Sequence, residues 1–113
     1  MKTLHSDFLG EFEQMVLMAV LRLGDEAYAV TIREEIEQRT GRSVSRGAVY
    51  ITLDRLEKKG YLDSRLADAT PERGGRAKRY HRVSASGAAV LKRSRGALEK
   101  MWHGLEPVIR KIG

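Results

Sequence analysis

The apolar residues of this chain change their spacing at Gly60, and that change constrains the fold more than any other feature. Before it, Val49, Leu53 and Leu56 recur at helical intervals; after it, Leu62, Ser64 and Leu66 alternate with Asp63, Arg65 and Ala67. A helix is therefore followed at once by a strand. Lys78 to Val83 is a second extended run, and Asp68 to Ala77 between the two holds Pro71 and Gly74-Gly75, a stretch too long for a tight turn. The pattern predicts a two-stranded hairpin. From Asp68 to Arg82 there are five bases (Arg73, Arg76, Lys78, Arg79, Arg82) against two acids, so the hairpin is cationic.

Upstream of Gly60 the spacing predicts three helices. Glu11 to Leu23 carries Phe12, Met15, Val16, Met18, Ala19, Val20 and Leu23, too many apolar residues for one thin stripe, and reads as a helix buried on more than one side. Gly24-Asp25 closes it. A second helix is expected from about Ala29 to Arg39, with Val30, Ile32, Ile36 and Tyr28 inward and a glutamate-rich face outward, stopped by Gly41. The third has the clearest start: Ser45 can cap free amides, while Val44 and Val49 are spaced for a hydrophobic staple. Lys58-Lys59 suits its negative end, and Arg46, Gly47, Tyr50 and Asp54 lie on the face opposite its apolar stripe.

Beyond the hairpin, Ser84 is a plausible cap for a last helix. Leu91, Leu98, Leu105 and Ile112 recur there every seven residues, with Met101 and Val108 three positions after two of them. That is a coiled-coil-like seam, with Trp102 beside it, and it predicts pairing with a second copy through Leu91, Leu98, Met101, Trp102 and Leu105. Pro107 predicts a kink or stop near Leu105 or Glu106. Residues 1–83 thus form one functional part and 84–113 a dimerisation helix, within a single structural unit.

Composition limits what such a chain can do. With 113 residues and no cysteine, it has room for one domain and none for a disulfide framework or a thiolate centre. His5, His81 and His103 are dispersed, so no metal site is expected, and no nucleophile–base pair or phosphate-cradling glycine loop suggests an enzyme or calls for a cofactor. The start lacks the apolar core of a signal peptide, and the longest apolar run, Met15 to Leu21, is too short to span a bilayer. A cytoplasmic protein is expected. Charge is uneven: from Glu11 to Arg39 there are seven acids and three bases, whereas from Arg42 onward there are seventeen bases and seven acids. A cationic half fits a polyanion.

Three helices, a hairpin and a further helix describe a mainly α winged helix-turn-helix followed by a dimerisation helix. In that arrangement Ser45, Arg46 and Gly47 at the entering end of the third helix would meet double-stranded DNA, Gly47 allowing close backbone approach. Arg73, Arg76 and Lys78 of the wing would bind phosphates or a neighbouring minor groove. Tyr50, one turn further on, is open to two readings, a DNA contact or a wedge between helices. Trp102 is likewise open, as dimer core or as contact for a small aromatic effector. The rival reading of the whole is a winged-helix protein-interaction module without sequence-specific DNA binding.

Three segments are also familiar. Leu9-Gly10-Glu11-Phe12-Glu13, Gly47 to Gly60 (Gly-Ala-Val-Tyr-Ile-Thr-Leu-Asp-Arg-Leu-Glu-Lys-Lys-Gly) and Glu72 to Tyr80 (Glu-Arg-Gly-Gly-Arg-Ala-Lys-Arg-Tyr) together resemble the PadR family of bacterial transcriptional regulators. The resemblance runs in order along nearly the whole chain. It implies a winged-helix homodimer that represses promoters and, in some members, releases DNA on binding an aromatic or drug-like molecule. The length resembles the short subgroup with a single C-terminal helix. His81 departs from the pattern, standing where the family often has a second aromatic after Tyr80.

Overall fold

A computed structural model describes residues 8–67 and 77–113. Its elements follow the expected order: α1 (Glu11–Leu23), a 3-10 turn (Gly24–Glu26), α2 (Ala29–Thr40), α3 (Arg46–Lys58), β1 (Leu62–Leu66), β2 (Arg79–Val83), α4 (Ala85–Trp102) and α5 (Glu106–Ile112). The strands pair antiparallel, Leu62 opposite Val83, Ser64 opposite His81 and Leu66 opposite Arg79. The architecture is a winged helix: a three-helix core, a hairpin wing and a C-terminal helical arm.

The core forms where the apolar faces of α1, α2 and α3 meet. Val16, Leu17, Ile32, Val49, Leu56 and Leu62 are almost wholly buried there, joined by Leu53 and Val44. Val30 departs from expectation, being 45% exposed while Ile32 is fully buried. Residues two positions apart on a helix are rotated by about 200°, so only one of Val30 and Ile32 can face the core, and the i, i+4 pair Ile32 and Ile36 takes that role. Met18 on α1 is likewise exposed in the single chain.

Local chemistry sets the helix ends. The Ser45 hydroxyl accepts the Ala48 amide at 3.1 Å and opens α3. At its other end the amides of Gly60 and Tyr61 donate to the carbonyls of Glu57 and Leu56, both at 2.9 Å. Gly60 at φ +82° makes this left-handed closure possible and turns the chain straight into β1. Glu13 joins helices instead of merely dressing a surface: it accepts from the Gly10 amide and faces Arg55 at 3.7 Å and Lys59 at 3.8 Å, both from α3 or its end.

The start of α4 docks on the α3–β1 turn. The Ser84 hydroxyl caps it, accepting from the Gly87 amide and donating to the Gly60 carbonyl. The carbonyl of Tyr61 also receives the Ser84 amide. One turn along, Gly87 lies so close to that turn that a Cβ on it would overlap the Tyr61 carbonyl oxygen.

The C-terminal arm differs from the expected single helix. α4 ends at Trp102, Gly104 takes φ +82°, and α5 begins at Glu106 with Pro107 in its first turn. The break between Trp102 and Glu106 falls at the stop expected near Leu105. Glycine supplies the left-handed turn, and proline falls where its missing amide would have no helical partner. The arm projects: α5 buries no residue, and the radius of gyration is 16.8 Å, whereas a compact chain of this length is expected to have about 13 Å.

Candidate nucleic-acid interface

The outward face of α3 and the wing beside it form one exposed surface. Because α3 buries Val49, Thr52, Leu53 and Leu56, its helical period places Gly47, Tyr50, Ile51, Asp54 and Lys58 outward. Ser45, Arg46 and Gly47 are all exposed at its entering end. Arg46 forms no ion pair among the described residues. A Cβ at Gly47 would meet nothing within 4 Å, so the fold of the isolated chain has no steric need for glycine there. Tyr50 is 55% exposed and is no core wedge. It borders Val30 and Arg46 on one side and, across a groove, Leu66 and Lys78 of the wing on the other.

The structure thus brings Ser45, Arg46, Gly47 and Tyr50 to one exposed end, with Lys78 across the groove. Arg73 and Arg76 lie outside the described residues. Lys78 is half-buried, and its ammonium donates to the Tyr28 hydroxyl at 3.0 Å while standing 4.2 Å from that ring's centroid. Tyr28 in turn meets Tyr80 edge-on, centroids 5.4 Å apart, and Arg65 lies over the Tyr80 ring at 4.9 Å. By spacing alone Tyr28 is only a core candidate, and nothing local in the sequence singles out Arg65. The facing positions of Arg65 and Tyr80 could have been read from the hairpin register, but no local pattern connects Tyr28 to residues fifty positions later.

The base of the wing is tied down by polar contacts. The Arg79 guanidinium donates to the Ser64 hydroxyl at 3.0 Å, and that hydroxyl donates to the Glu57 carboxylate of α3. The His81 amide donates to the Ala27 carbonyl at 2.9 Å, joining β2 to the turn before α2. The His81 ring is buried, and its Nδ1 has no hydrogen-bond partner among the described residues. Burial pushes its pKa below the ordinary value; the Glu57 carboxylate opposes that shift and the Arg79 cation adds to it. Among the described residues, no three of His, Asp and Glu come together as a metal site.

On the arm, one stripe changes its surroundings along its length. Gly87, Val90 and Ser94 are buried and Leu91 packs against the core, whereas Leu98 and Met101, which continue the same stripe, are 50% and 74% exposed. Trp102 and Leu105 are exposed beside them. Among the described residues no helix is long and apolar enough to cross a membrane.

A helix-turn-helix core with an exposed third helix and a cationic wing defines a winged-helix transcription regulator. Residues 17–93 match the transcriptional regulator PadR-like family, and the chain belongs to it. Transcriptional regulator Rv3488 of Mycobacterium tuberculosis is 37% identical over 79 residues, 68% of this chain and 67% of that protein. Among solved structures, a transcriptional regulator from Clostridium thermocellum superposes with a TM-score of 0.69 at 24% identity, covering 88% of this chain and 89% of the other. A PadR family transcriptional regulator from Eggerthella lenta gives 0.60 at 24%, covering 90% and 85%. At these identities the two structures establish the shared fold.

Proposed function

We propose that the protein is a cytoplasmic homodimeric repressor that reads a two-fold-related operator in duplex DNA with α3, the wing gripping flanking phosphates. The observation that carries this reading is the entering end of α3, where Ser45, Gly47 and an Arg46 with no ion pair among the described residues are all exposed beside the wing. An exposed guanidinium there suits guanine O6 and N7, and a bare glycine lets backbone amides approach phosphate. Tyr50 contributes its hydroxyl to the same surface. Arg73 and Arg76 supply sequence-independent attraction. No part of this reading involves catalysis.

Two copies pair through the outer half of the α4 stripe. Leu98, Met101, Trp102 and Leu105 are exposed in one chain, and Leu91 marks where the stripe passes from its own core towards the partner. Burial of that apolar surface in a symmetric contact would support an arm that rests on so little of its own domain. Trp102, at the edge of the stripe, would meet its symmetry mate across the pair, and two indoles held apart could stack a flat aromatic effector. An effector that binds the DNA-incompetent dimer more tightly would release the operator.

Selection from random duplexes tests the reading. A symmetric motif with half-sites about one helical turn apart supports it. Arg46→Ala should relax preference at one base position at a cost of about 1–3 kcal/mol, and Arg76→Ala should weaken all duplexes with a salt dependence shallower by about one ion. Selection without any motif would return the fold to a protein-interaction module. Planar aromatic cations or phenolic acids that shift Trp102 fluorescence and weaken operator binding together would establish the effector site; fluorescence and affinity both unchanged would leave Trp102 as dimer core.

A further inference from the structure

We infer that Tyr28 is the positioning residue of the wing, and that Lys78 acts through it, as a latch, instead of contacting phosphate directly. Four side chains from three elements form one continuous stack: Arg65 of β1 over Tyr80 of β2, Tyr80 edge-on to Tyr28 at the start of α2, and Lys78 against Tyr28. Each cation meets the electron-rich face or hydroxyl of a ring, and Tyr80 is nine-tenths buried, so part of this stack is shielded from water. The stack stands beside the His81–Ala27 backbone bond, the nearby main-chain link from β2 to the turn before α2. Together a side-chain stack and a main-chain bond attach the hairpin to the segment that opens α2.

The chemistry of Lys78 follows from this. Its ammonium already has a ring and a hydroxyl as partners, so moving to a phosphate would exchange one interaction for another and gain little. Arg46 is in the opposite situation, exposed and without an ion pair among the described residues. Tyr28 thereby determines where Leu66 and Ala77 stand relative to Tyr50 across the groove. The inference rests on the reading of the wing as a DNA-binding element, but its free-protein consequences do not.

The test compares Lys78→Ala, Tyr28→Leu, Tyr28→Phe and the Lys78→Ala/Tyr28→Leu double variant. Two readouts are used: binding to a duplex carrying the motif selected by the unaltered protein, and amide exchange of His81 and Ala67 in the free protein. If Lys78 is a latch, each of Lys78→Ala and Tyr28→Leu weakens binding by up to about tenfold, the range of one cation–ring contact, and the double variant is no worse than the worse single one. Salt dependence stays unchanged, the wing amides exchange faster, and Tyr28→Phe, which keeps the ring, restores most of the affinity. Additive losses with a salt dependence shallower by about one ion for Lys78→Ala would overturn the inference and make Lys78 a phosphate contact. Unaltered amide exchange in Tyr28→Leu would also overturn it, whatever the DNA result. Absence of any sequence preference in the unaltered protein would instead count against the operator reading, while exchange in the free protein still reports on the latch. Tyr28→Phe and Lys78→Ala leave the core untouched, so the comparison survives if Tyr28→Leu fails to fold.

Discussion

The backbone amide of Leu9 donates to the Ser94 hydroxyl at 2.8 Å in a buried contact that joins residues 85 positions apart. It fastens the segment before α1 to the middle of α4. Ser94→Ala should leave that amide buried without an acceptor and cost about 1–3 kcal/mol in urea denaturation. A loss under a few tenths of a kcal/mol would mean that water or a shift of α4 replaces the hydroxyl.

Gly87→Ala should be worse tolerated than its chemistry suggests. Alanine normally favours a helix, but here its methyl would overlap the Tyr61 carbonyl oxygen and stand 3.0 Å from Val83 Cγ1. The obstacle is backbone, which cannot swing aside as a flexible side chain can. We expect a destabilisation of roughly 1–3 kcal/mol, read by thermal or urea unfolding, where helix propensity alone predicts a gain.

Gly47→Ala predicts the opposite split. Open space around the Cβ position means that stability should hold or rise by up to about 1 kcal/mol. If Gly47 exists to let the α3 backbone approach DNA, operator affinity should nevertheless fall. Unchanged affinity in the alanine variant would remove Gly47 from the interface.

His81 predicts a dependence on acid pH. Its folded-state pKa lies below the ordinary value of 6.5 because burial disfavours the cation; Glu57 of α3 opposes this and Arg79 of β2 reinforces it. The unfolded chain therefore takes up the proton first. Its contribution to stability is fully present above about pH 6.5 and is lost as the pH falls towards the folded-state value. Urea midpoints should decline over that interval in the natural protein and decline less in His81→Phe, which supplies a neutral aromatic. Identical slopes would place the titration elsewhere.

Leu98→Glu and Met101→Glu should each yield monomers in sedimentation, since a carboxylate on the stripe would be buried against its own symmetry mate. Both positions are exposed in the single chain, so the domain itself should stay folded. Operator binding should collapse with the dimer. Intact dimers in both variants would move the interface to another face.

What the sequence by itself determined is everything that depends on neighbours along the chain. The switch of spacing at Gly60 announced helix then strand, Ser45 and Ser84 were legible as caps, and the heptad of leucines outlined the arm. These signals are local because a hydrogen-bonded turn or a buried stripe involves residues at most a few positions apart. Tertiary structure decided the rest. It chose Ile32 over Val30 for the core, used Gly104 for the left-handed turn that breaks the arm, and gave the Lys78 ammonium to Tyr28. It also made Gly87 indispensable to close packing and Ser94 the acceptor for Leu9. In most of these cases the deciding partner lies on another element, and no pattern within one segment records which distant backbone or ring will come to rest beside it.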